Sequence, residues 1–138
     1  MSNIDENKNT VRKFIGLLGS DDITGLVRLL ADDLQWVVPQ DPTLTPLAGS
    51  RSKAQWAELY RGFKARVKAD VKYTITGITA EGARVAAEVE SDADTPVGPF
   101  HNRYHFLFEV RDGLIVVAKE YADSLYMYMF SKRAGDAG

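Results

Sequence analysis

The chain has 138 residues, no cysteine, two histidines and a formal net charge of −2 at pH 7. The absence of cysteine excludes disulfides and thiolate metal sites, and two histidines argue against a histidine-rich zinc site. The near-neutral charge gives no electrostatic footprint for nucleic acid. No run approaches the roughly 20 apolar residues of a membrane span. We therefore expect no nucleic-acid partner and no membrane partner.

The length is typical of one domain. We expect that domain to span residues 1–130, because residues 131–138 are small or charged and form a frayed tail. The first ten residues are polar and lack the apolar core of a signal peptide, which favours the cytoplasm.

Two helices are predicted near residues 5–19 and 23–30, where apolar residues recur every three or four positions. Ser20, Asp21 and Asp22 are candidate caps for the second helix. The two apolar faces consist of Val11, Phe14, Ile15 and Leu18, and of Ile23, Leu26, Val27 and Leu30.

A short strand is predicted at residues 34–38, because the helical period is lost there and Pro39 follows. Residues 39–50 are rich in proline and form a loop. A third helix, capped by Ser50 or Ser52, then carries an apolar face. That face consists of Trp56, Leu59, Tyr60, Phe63 and Val67.

Alternation with a period of two predicts strands at residues 71–75 and 85–89. Residues 91–99 contain two prolines and are predicted to be a long connection. A closing hairpin follows, around the Asp112-Gly113 turn signal. The order ααβαββββ predicts an α+β fold in which three helices cover one face of a curved, mainly antiparallel sheet.

Three segments carry a family resemblance: the run LLADDLQWVVP at the end of the second helix, the start of the third helix (PLAGSRSKAQWAELYRGF), and YHFLFEVRDGLIVVAKEYAD. With these segments the chain resembles SnoaL-like polyketide cyclases and ketosteroid isomerases of the nuclear-transport-factor-two-like superfamily. The resemblance implies a cone-shaped α+β barrel with a pocket between sheet and helices, and commonly a dimer. It says little about chemistry, since this scaffold carries many activities.

The closing hairpin decides which ionisable residues face the pocket. Its first strand alternates so that Tyr104, Phe106, Phe108 and Val110 face the helices. One residue of slip reverses every side chain of the second strand. A two-residue loop pairs Val110 with Ile115 and turns Val117, Lys119, Tyr121 and Asp123 inward. A three-residue loop that includes Arg111 pairs Val110 with Leu114 and turns Val116, Ala118, Glu120 and Ala122 inward.

We favour the three-residue loop, because its inward residues are smaller and less polar. The resemblance agrees, since Glu120 corresponds to the pocket acid of SnoaL-like cyclases and limonene-epoxide hydrolases. In this register Tyr104 lies opposite Glu120, and the two form the candidate acid/base pair. His105 and Asp123 then point outward. The predicted ligand contacts are Trp36, Val38, Phe14, Tyr60, Phe63, Phe106, Phe108 and Ala118.

The weaker candidates are polar residues outside that face. His101 and Asn102 are expected in a solvated loop before the hairpin, and Asp32 and Asp33 are expected to be solvated at a helix end. No metal site and no cofactor is predicted.

Several known chemistries of the superfamily lack their residues here. Ketosteroid isomerases carry an acid where this chain has Val38, a tyrosine at Phe14 and an acid at Tyr104. Limonene-epoxide hydrolases use an Arg and an Asp on a middle strand, where this chain offers Glu88 and Glu90.

Three hypotheses for the function remain. The first is cofactor-independent acid/base chemistry on a hydrophobic carbonyl compound, of cyclase or isomerase type. The second is a non-catalytic pocket for a hydrophobic ligand. The third is a dimeric interaction domain whose pocket is filled by Trp36, Phe63 and Phe106. In each case Leu107, Val117 and Tyr121 on the outer sheet face favour a homodimer.

Overall fold

The computed structural model describes residues 3–135. In chain order these residues form α1 (Ile4–Leu17), α2 (Ile23–Val27), β1 (Leu30–Val38), β2 (Gly49–Arg51), α3 (Lys53–Val67), β3 (Lys72–Glu81), β4 (Arg84–Thr95), β5 (Gly98–Arg111), β6 (Leu114–Ala122) and α4 (Ser124–Arg133). The α+β class is confirmed, but the order differs from the prediction by the short strand β2 and the final helix α4.

The helix starts follow from capping side chains. Asn3 accepts the Asp5 backbone N–H at the start of α1. Ser52 caps α3 in a reciprocal capping box with Gln55, which decides between the two predicted caps. The second helix is shorter than predicted, because Leu30 begins β1 and pairs with Ile115 of β6.

The six strands form one sheet in the order β2-β1-β6-β5-β4-β3. Strands β1 and β6 are parallel, and every other neighbouring pair is antiparallel. The sheet therefore brings β1, from the first third of the chain, beside the last strand. We call the face that packs on α1 and α3 the inner face and the opposite one the outer face.

The predicted long connection at residues 91–99 is wrong. Strand β4 continues to Thr95, β5 begins at Gly98, and Thr95 pairs with Gly98 across a tight turn. The two prolines had indicated a loop. Pro96 lies in the turn itself and Pro99 lies next to it, where a missing backbone N–H costs little stability. Asn102 and His101 consequently lie within β5 and not in a loop.

The closing hairpin combines features of both predicted registers. Its turn has two residues, Asp112 and Gly113, with φ of 52° and 75°, and Val110 pairs with Ile115. The favoured three-residue loop is therefore wrong. A β-bulge at Val116 then leaves one residue of β6 unpaired, so that Phe108 pairs with Ala118 and Phe106 with Glu120. The bulge restores the inward face predicted for Ala118 and Glu120.

Helix α4 follows β6 directly and was not predicted. Asp123 caps it by accepting the Tyr126 backbone N–H at 3.0 Å. The helix continues to Arg133, so the first three residues of the predicted frayed tail are helical. Residues 136–138 of that tail lie outside the described residues.

Two apolar clusters hold the layers together. The larger one lies between the inner face and helices α1 and α3. The smaller one, where α4 packs, consists of Val67, Val71, Phe100 and Phe130. Within residues 3–135, no helix is long and apolar enough to cross a membrane.

Candidate functional site

A cavity of about 1000 Å³ lies between the inner face of the sheet, helices α3 and α4, and the loop after β1. Five of the predicted ligand contacts border it: Trp36, Val38, Tyr60, Phe63 and Phe106. The other three are not on its wall, because Phe14, Phe108 and Ala118 are 0% exposed in the core. Trp36, Phe63 and Phe106 therefore line an open cavity and do not fill it.

The mouth of the cavity is formed by helix α4, which was not predicted, and by the predicted loop after β1. Leu125 and Tyr128 come from α4, and Leu44 comes from the loop. Leu44 is 83% exposed and Leu125 69% exposed, so the rim is apolar and open to solvent. The cap Asp123, before a run of apolar residues, was the available signal for this helix.

The aromatic wall is built from rings in mutual contact. Trp56 lies 5.0 Å from Trp36 and 5.1 Å from Tyr60, centroid to centroid. Phe106 stacks on Tyr104 at 5.5 Å. These contacts fix the rings, since a packed aromatic side chain has few alternative rotamers.

Glu120 places a carboxyl group on this apolar wall. It lies on β6, directly opposite Phe106 of β5, and borders the cavity. Tyr104, predicted to be opposite it, instead pairs with Ala122 because of the two-residue turn and the bulge. The indole Nε1 of Trp36 donates a hydrogen bond to Glu120 Oε1 at 3.0 Å. The carboxyl group is thus held by the Trp36 indole at a mostly apolar wall.

Burial raises the pKa of Glu120 above its ordinary value of 4.5, while the Trp36 hydrogen bond and the positive charge of Arg51 oppose the rise. Desolvation is the largest of these effects. A carboxyl group with a raised pKa is a better proton acceptor at neutral pH than an ordinary glutamate.

Arg51 connects the acid to the cavity wall. It lies on β2, opposite Trp36, and its guanidinium donates to the backbone carbonyls of Leu47 at 2.7 Å and Pro46 at 3.3 Å. Pro46 and Leu47 both border the cavity. The Arg51 side chain therefore anchors the loop after β1 and favours the charged form of Glu120.

Tyr104 belongs to a polar cluster beside the acid. Its hydroxyl lies 3.0 Å from Ser91 Oγ, and Ser91 Oγ accepts the Asn102 backbone N–H at 3.1 Å. The rings of Tyr73 and Tyr104 lie 5.5 Å apart, centroid to centroid. Ser91 is 0% exposed and Asn102 1% exposed, whereas Tyr73 and Tyr104 border the cavity. Ser91 was not a predicted site residue, and Asn102 was expected in a solvated loop; both lie within strands, Ser91 on β4 and Asn102 on β5.

Tyr60 has a structural bonding pattern. Its hydroxyl accepts the Gly19 N–H at 2.8 Å and donates to the Ser20 carbonyl at 2.6 Å. Burial raises the pKa of Tyr60 to about 12. The phenol thus ties α3 to the turn after α1, and only its ring is available to the cavity.

The remaining ionisable candidates lie away from the cavity. His105, Lys119 and Tyr121 are on the outer face. His101 lies on β5 between Asp92, at 2.7 Å from Nδ1, and Glu90, at 3.2 Å from Nε2. Asp32 pairs with Lys53, and Asp33 pairs with Arg111. Among residues 3–135, no group of three or more His, Asp or Glu side chains is arranged to hold a metal ion.

Comparisons with known proteins place the chain in a family. The model of the SnoaL-like domain matches residues 11–118. Glu120 lies just outside the matched residues, so this match does not bear on its role. No curated protein matches the chain in sequence.

Solved structures share the fold at low sequence identity. PrhC from Penicillium brasilianum NBRC 6234 has a TM-score of 0.84 at 16% identity, over 99% of this chain and 92% of that chain. An LEH-like epoxide hydrolase from M. tuberculosis has a TM-score of 0.74 at 23% identity, over 95% and 92%. BvnE pinacolase from Penicillium brevicompactum has a TM-score of 0.80 at 15% identity, over 94% and 90%.

These identities are too low to carry an activity across, because proteins of one fold perform different reactions. The family match, however, spans well over half of the chain. The protein is a member of the SnoaL-like domain family, with the nuclear-transport-factor-two-like fold.

Proposed function

We propose that the protein binds a hydrophobic carbonyl compound in the cavity and performs cofactor-independent acid/base chemistry on it, of cyclase or isomerase type. The observation that carries the proposal is the carboxyl group of Glu120, held by Trp36 on the apolar wall of a large cavity. A cavity of about 1000 Å³ is at the upper end of the range for small-molecule sites. The ligand is therefore expected to be several rings in size.

Glu120 is the proposed proton acceptor and donor. It would take a proton from the carbon next to the carbonyl group and return that proton to the rearranged product. The electrons of the broken C–H bond move toward the carbonyl oxygen, where negative charge develops. Tyr104 would donate a hydrogen bond to that oxygen.

Deuterium exchange tests this chemistry without the natural substrate. Hydrophobic aryl ketones such as 2-acetylnaphthalene are incubated in D₂O, and deuterium at the carbon next to the carbonyl is followed by NMR. Glu120→Gln should slow the protein-dependent exchange by at least about 100-fold, since a positioned base contributes that much. Glu88→Gln is the matched control, because Glu88 is exposed on the outer face.

Two results would contradict the proposal. Exchange that is unchanged in Glu120→Gln would remove Glu120 from the mechanism. Tight ketone binding without any exchange in the wild-type protein would support a non-catalytic pocket, in which the Trp36–Glu120 hydrogen bond only satisfies two polar groups within an apolar wall.

We further propose that two copies of the chain associate through their outer faces. Tyr121 is 47% exposed there, and Leu107 and Val117 lie half-buried beside it. Analytical ultracentrifugation should show a dimer that Tyr121→Glu converts to monomer and that Ile4→Glu, on α1, leaves intact. A wild-type monomer at micromolar concentration would refute this assembly.

A further inference from the structure

Helices α3 and α4 border the cavity, and their last turns lie together at one end of its mouth. Phe63 of α3 and Phe130 of α4 both pack on the ring of Phe100, with centroids 6.1 Å and 4.7 Å away. Val67, the last residue of α3, belongs to the same apolar cluster. The C-terminal ends of the two helices are therefore neighbours.

Each of these ends carries a basic side chain on the cavity wall. Arg66 lies in the last turn of α3 and Lys132 in the last turn of α4, and both border the cavity. Both are exposed, whereas Glu120 is half-buried on the sheet, which forms the opposite wall. Two positive charges therefore lie at the helix side of the mouth, and the carboxyl group lies on the sheet side.

The helix dipole gives one reason for basic residues at these positions, since it favours positive charge near a C-terminus. Each helix, however, has a second basic residue in its last turn that contacts the rest of the fold. Lys64 donates to two backbone carbonyls, at 2.6 Å and 2.8 Å, and Arg133 lies over the Phe130 ring, 5.4 Å from its centroid. Neither Lys64 nor Arg133 borders the cavity. The dipole alone therefore does not explain why the other two basic residues lie on the cavity wall.

Among residues 3–135, two acidic residues besides Glu120 border the cavity, and both lie elsewhere on its wall. Glu58 precedes Arg66 by eight residues, roughly 12 Å along α3, and its Oε1 accepts from Arg61 Nη1 at 2.7 Å. Asp41 lies in the loop after β1, where its Oδ1 accepts a backbone N–H at 2.8 Å and a hydroxyl at 2.6 Å. The mouth is thus polarised, with its positive charges at the ends of α3 and α4.

We propose that the ligand carries a carboxylate group at the end that reaches the mouth, and that Arg66 and Lys132 bind this group. A guanidinium offers parallel N–H donors that match the two oxygens of a carboxylate. An anion placed beside Glu120 would be repelled by the charged form of that side chain, whereas at the helix ends it meets two positive charges. The ketone then faces the sheet and the carboxylate faces the helices. This inference rests on the proposed function and specifies its ligand.

A charged probe and a neutral probe of nearly the same shape test the inference. 6-Acetyl-2-naphthoate carries the ketone and the carboxylate, and 6-acetyl-2-naphthamide lacks the charge. The chain has a formal net charge of −2, which disfavours anions in general, so a preference for the carboxylate points to local positive charge. Isothermal titration calorimetry gives both affinities. At low salt the wild type should bind the carboxylate about fivefold more tightly, as exposed ion pairs allow, and the preference should shrink at high salt.

Removal of charge at the helix ends locates the effect. Arg66→Gln and Lys132→Gln should each reduce the preference, and the double variant should abolish it by weakening carboxylate binding more than amide binding. Lys132→Arg keeps the charge and should keep the preference. Arg133→Gln is the matched control, because it removes the same charge from the neighbouring residue, which does not border the cavity. Circular dichroism checks that each variant is folded.

Three results would overturn this inference and leave the proposed function standing. They are equal wild-type affinity for the two probes, a preference that survives in the double variant, and a preference that Arg133→Gln reduces as much as Lys132→Gln does. Failure of the wild type to bind both probes and 2-acetylnaphthalene would instead contradict the proposed function itself.

Discussion

Trp36 and Glu120 lie on neighbouring parallel strands, and the indole of one donates to the carboxyl group of the other at 3.0 Å. A donor stabilises the charged form of a carboxyl group and so opposes the effect of burial. The same indole forms part of the aromatic wall. Trp36 therefore has two roles: its ring forms part of the cavity wall, and its N–H stabilises the charged form of Glu120.

Removal of that donor should raise the pKa of Glu120 further. Trp36→Phe keeps an aromatic ring and loses the N–H, so the charged form loses its hydrogen bond. The pKa is measured by ¹³C NMR of the glutamate carboxyl carbon. Trp56→Phe is the control, since the Glu120 hydrogen bond comes from Trp36. An unchanged pKa in Trp36→Phe would show that the hydrogen bond has no electrostatic effect.

Arg51 should act on the pKa through its charge and on the cavity through its hydrogen bonds. Arg51→Gln should raise the pKa of Glu120, because the positive charge that lowers it is lost. Arg51→Lys should keep most of this effect. Both variants lose the planar contact with the Leu47 and Pro46 carbonyls and should bind 2-acetylnaphthalene more weakly. Equal pKa values in the two variants would contradict the role of charge.

The raised pKa of Glu120 predicts a specific pH dependence of stability. The folded protein keeps this proton at pH values where the unfolded chain has already lost it. The free energy of unfolding should therefore fall as the pH rises from the unfolded value of about 4.5 through the folded pKa.

Glu120→Gln removes this contribution. Urea denaturation between about pH 4 and about pH 8 should show that the variant gains stability relative to the wild type as the pH rises. A difference that is independent of pH would mean that the pKa of Glu120 is the same in the folded and unfolded states.

Loss of the Tyr60 hydroxyl should reduce stability more than it reduces ligand binding. Tyr60→Phe leaves the buried Gly19 N–H without its partner, at a cost of roughly 1–3 kcal/mol in the free energy of unfolding. Tyr121→Phe, which removes an exposed hydroxyl, should change stability by less than about 0.5 kcal/mol. Urea denaturation compares the two, and a similar midpoint for both would contradict the buried role.

Two glycines with positive φ should differ in how much stability the protein loses when each is replaced by alanine. Gly113 has open space around it and a φ of 75°. Gly113→Ala should therefore lose only the energy of holding a non-glycine residue in the left-handed conformation, roughly 1–2 kcal/mol. A Cβ at Gly19 would lie 1.9 Å from the Val71 carbonyl oxygen, so Gly19→Ala should cost more.

Gly16, inside α1, is the control, because a Cβ at this position would meet no neighbouring atom within 4 Å. Gly16→Ala should stabilise the protein by roughly 0.5–1 kcal/mol. Thermal unfolding ranks the three variants, and a Gly19→Ala variant as stable as Gly113→Ala would contradict the close approach.

Local patterns were enough to predict the three leading helices and the strand with Trp36 and Val38. The inward position of Glu120 was predicted from a three-residue loop that does not form, and it holds because of the bulge at Val116. Local patterns failed where structure depends on pairing between strands. Strand β1 begins at Leu30 because β6 is available to pair with it, and β4 extends to Thr95 because β5 pairs with it residue for residue.

The tyrosine cluster was missed for the same reason. Tyr73, Ser91 and Tyr104 come from three strands, and their juxtaposition depends on the register between them. Phe14 and Phe108 have the same apolar character as Phe63 and Phe106. Phe14 and Phe108 are fully buried in the core and do not reach the cavity wall, and sequence alone does not reveal this difference in burial.

The bulge at Val116 makes the orientation of Glu120 independent of the hairpin tip. A regular strand would transmit any change in turn length to every side chain beyond it, whereas an unpaired residue absorbs a one-residue difference. Deletion of Val116 should leave a continuous ladder with Phe108 still opposite Ala118. The tip can therefore gain or lose a residue during evolution while the carboxyl group stays in the cavity.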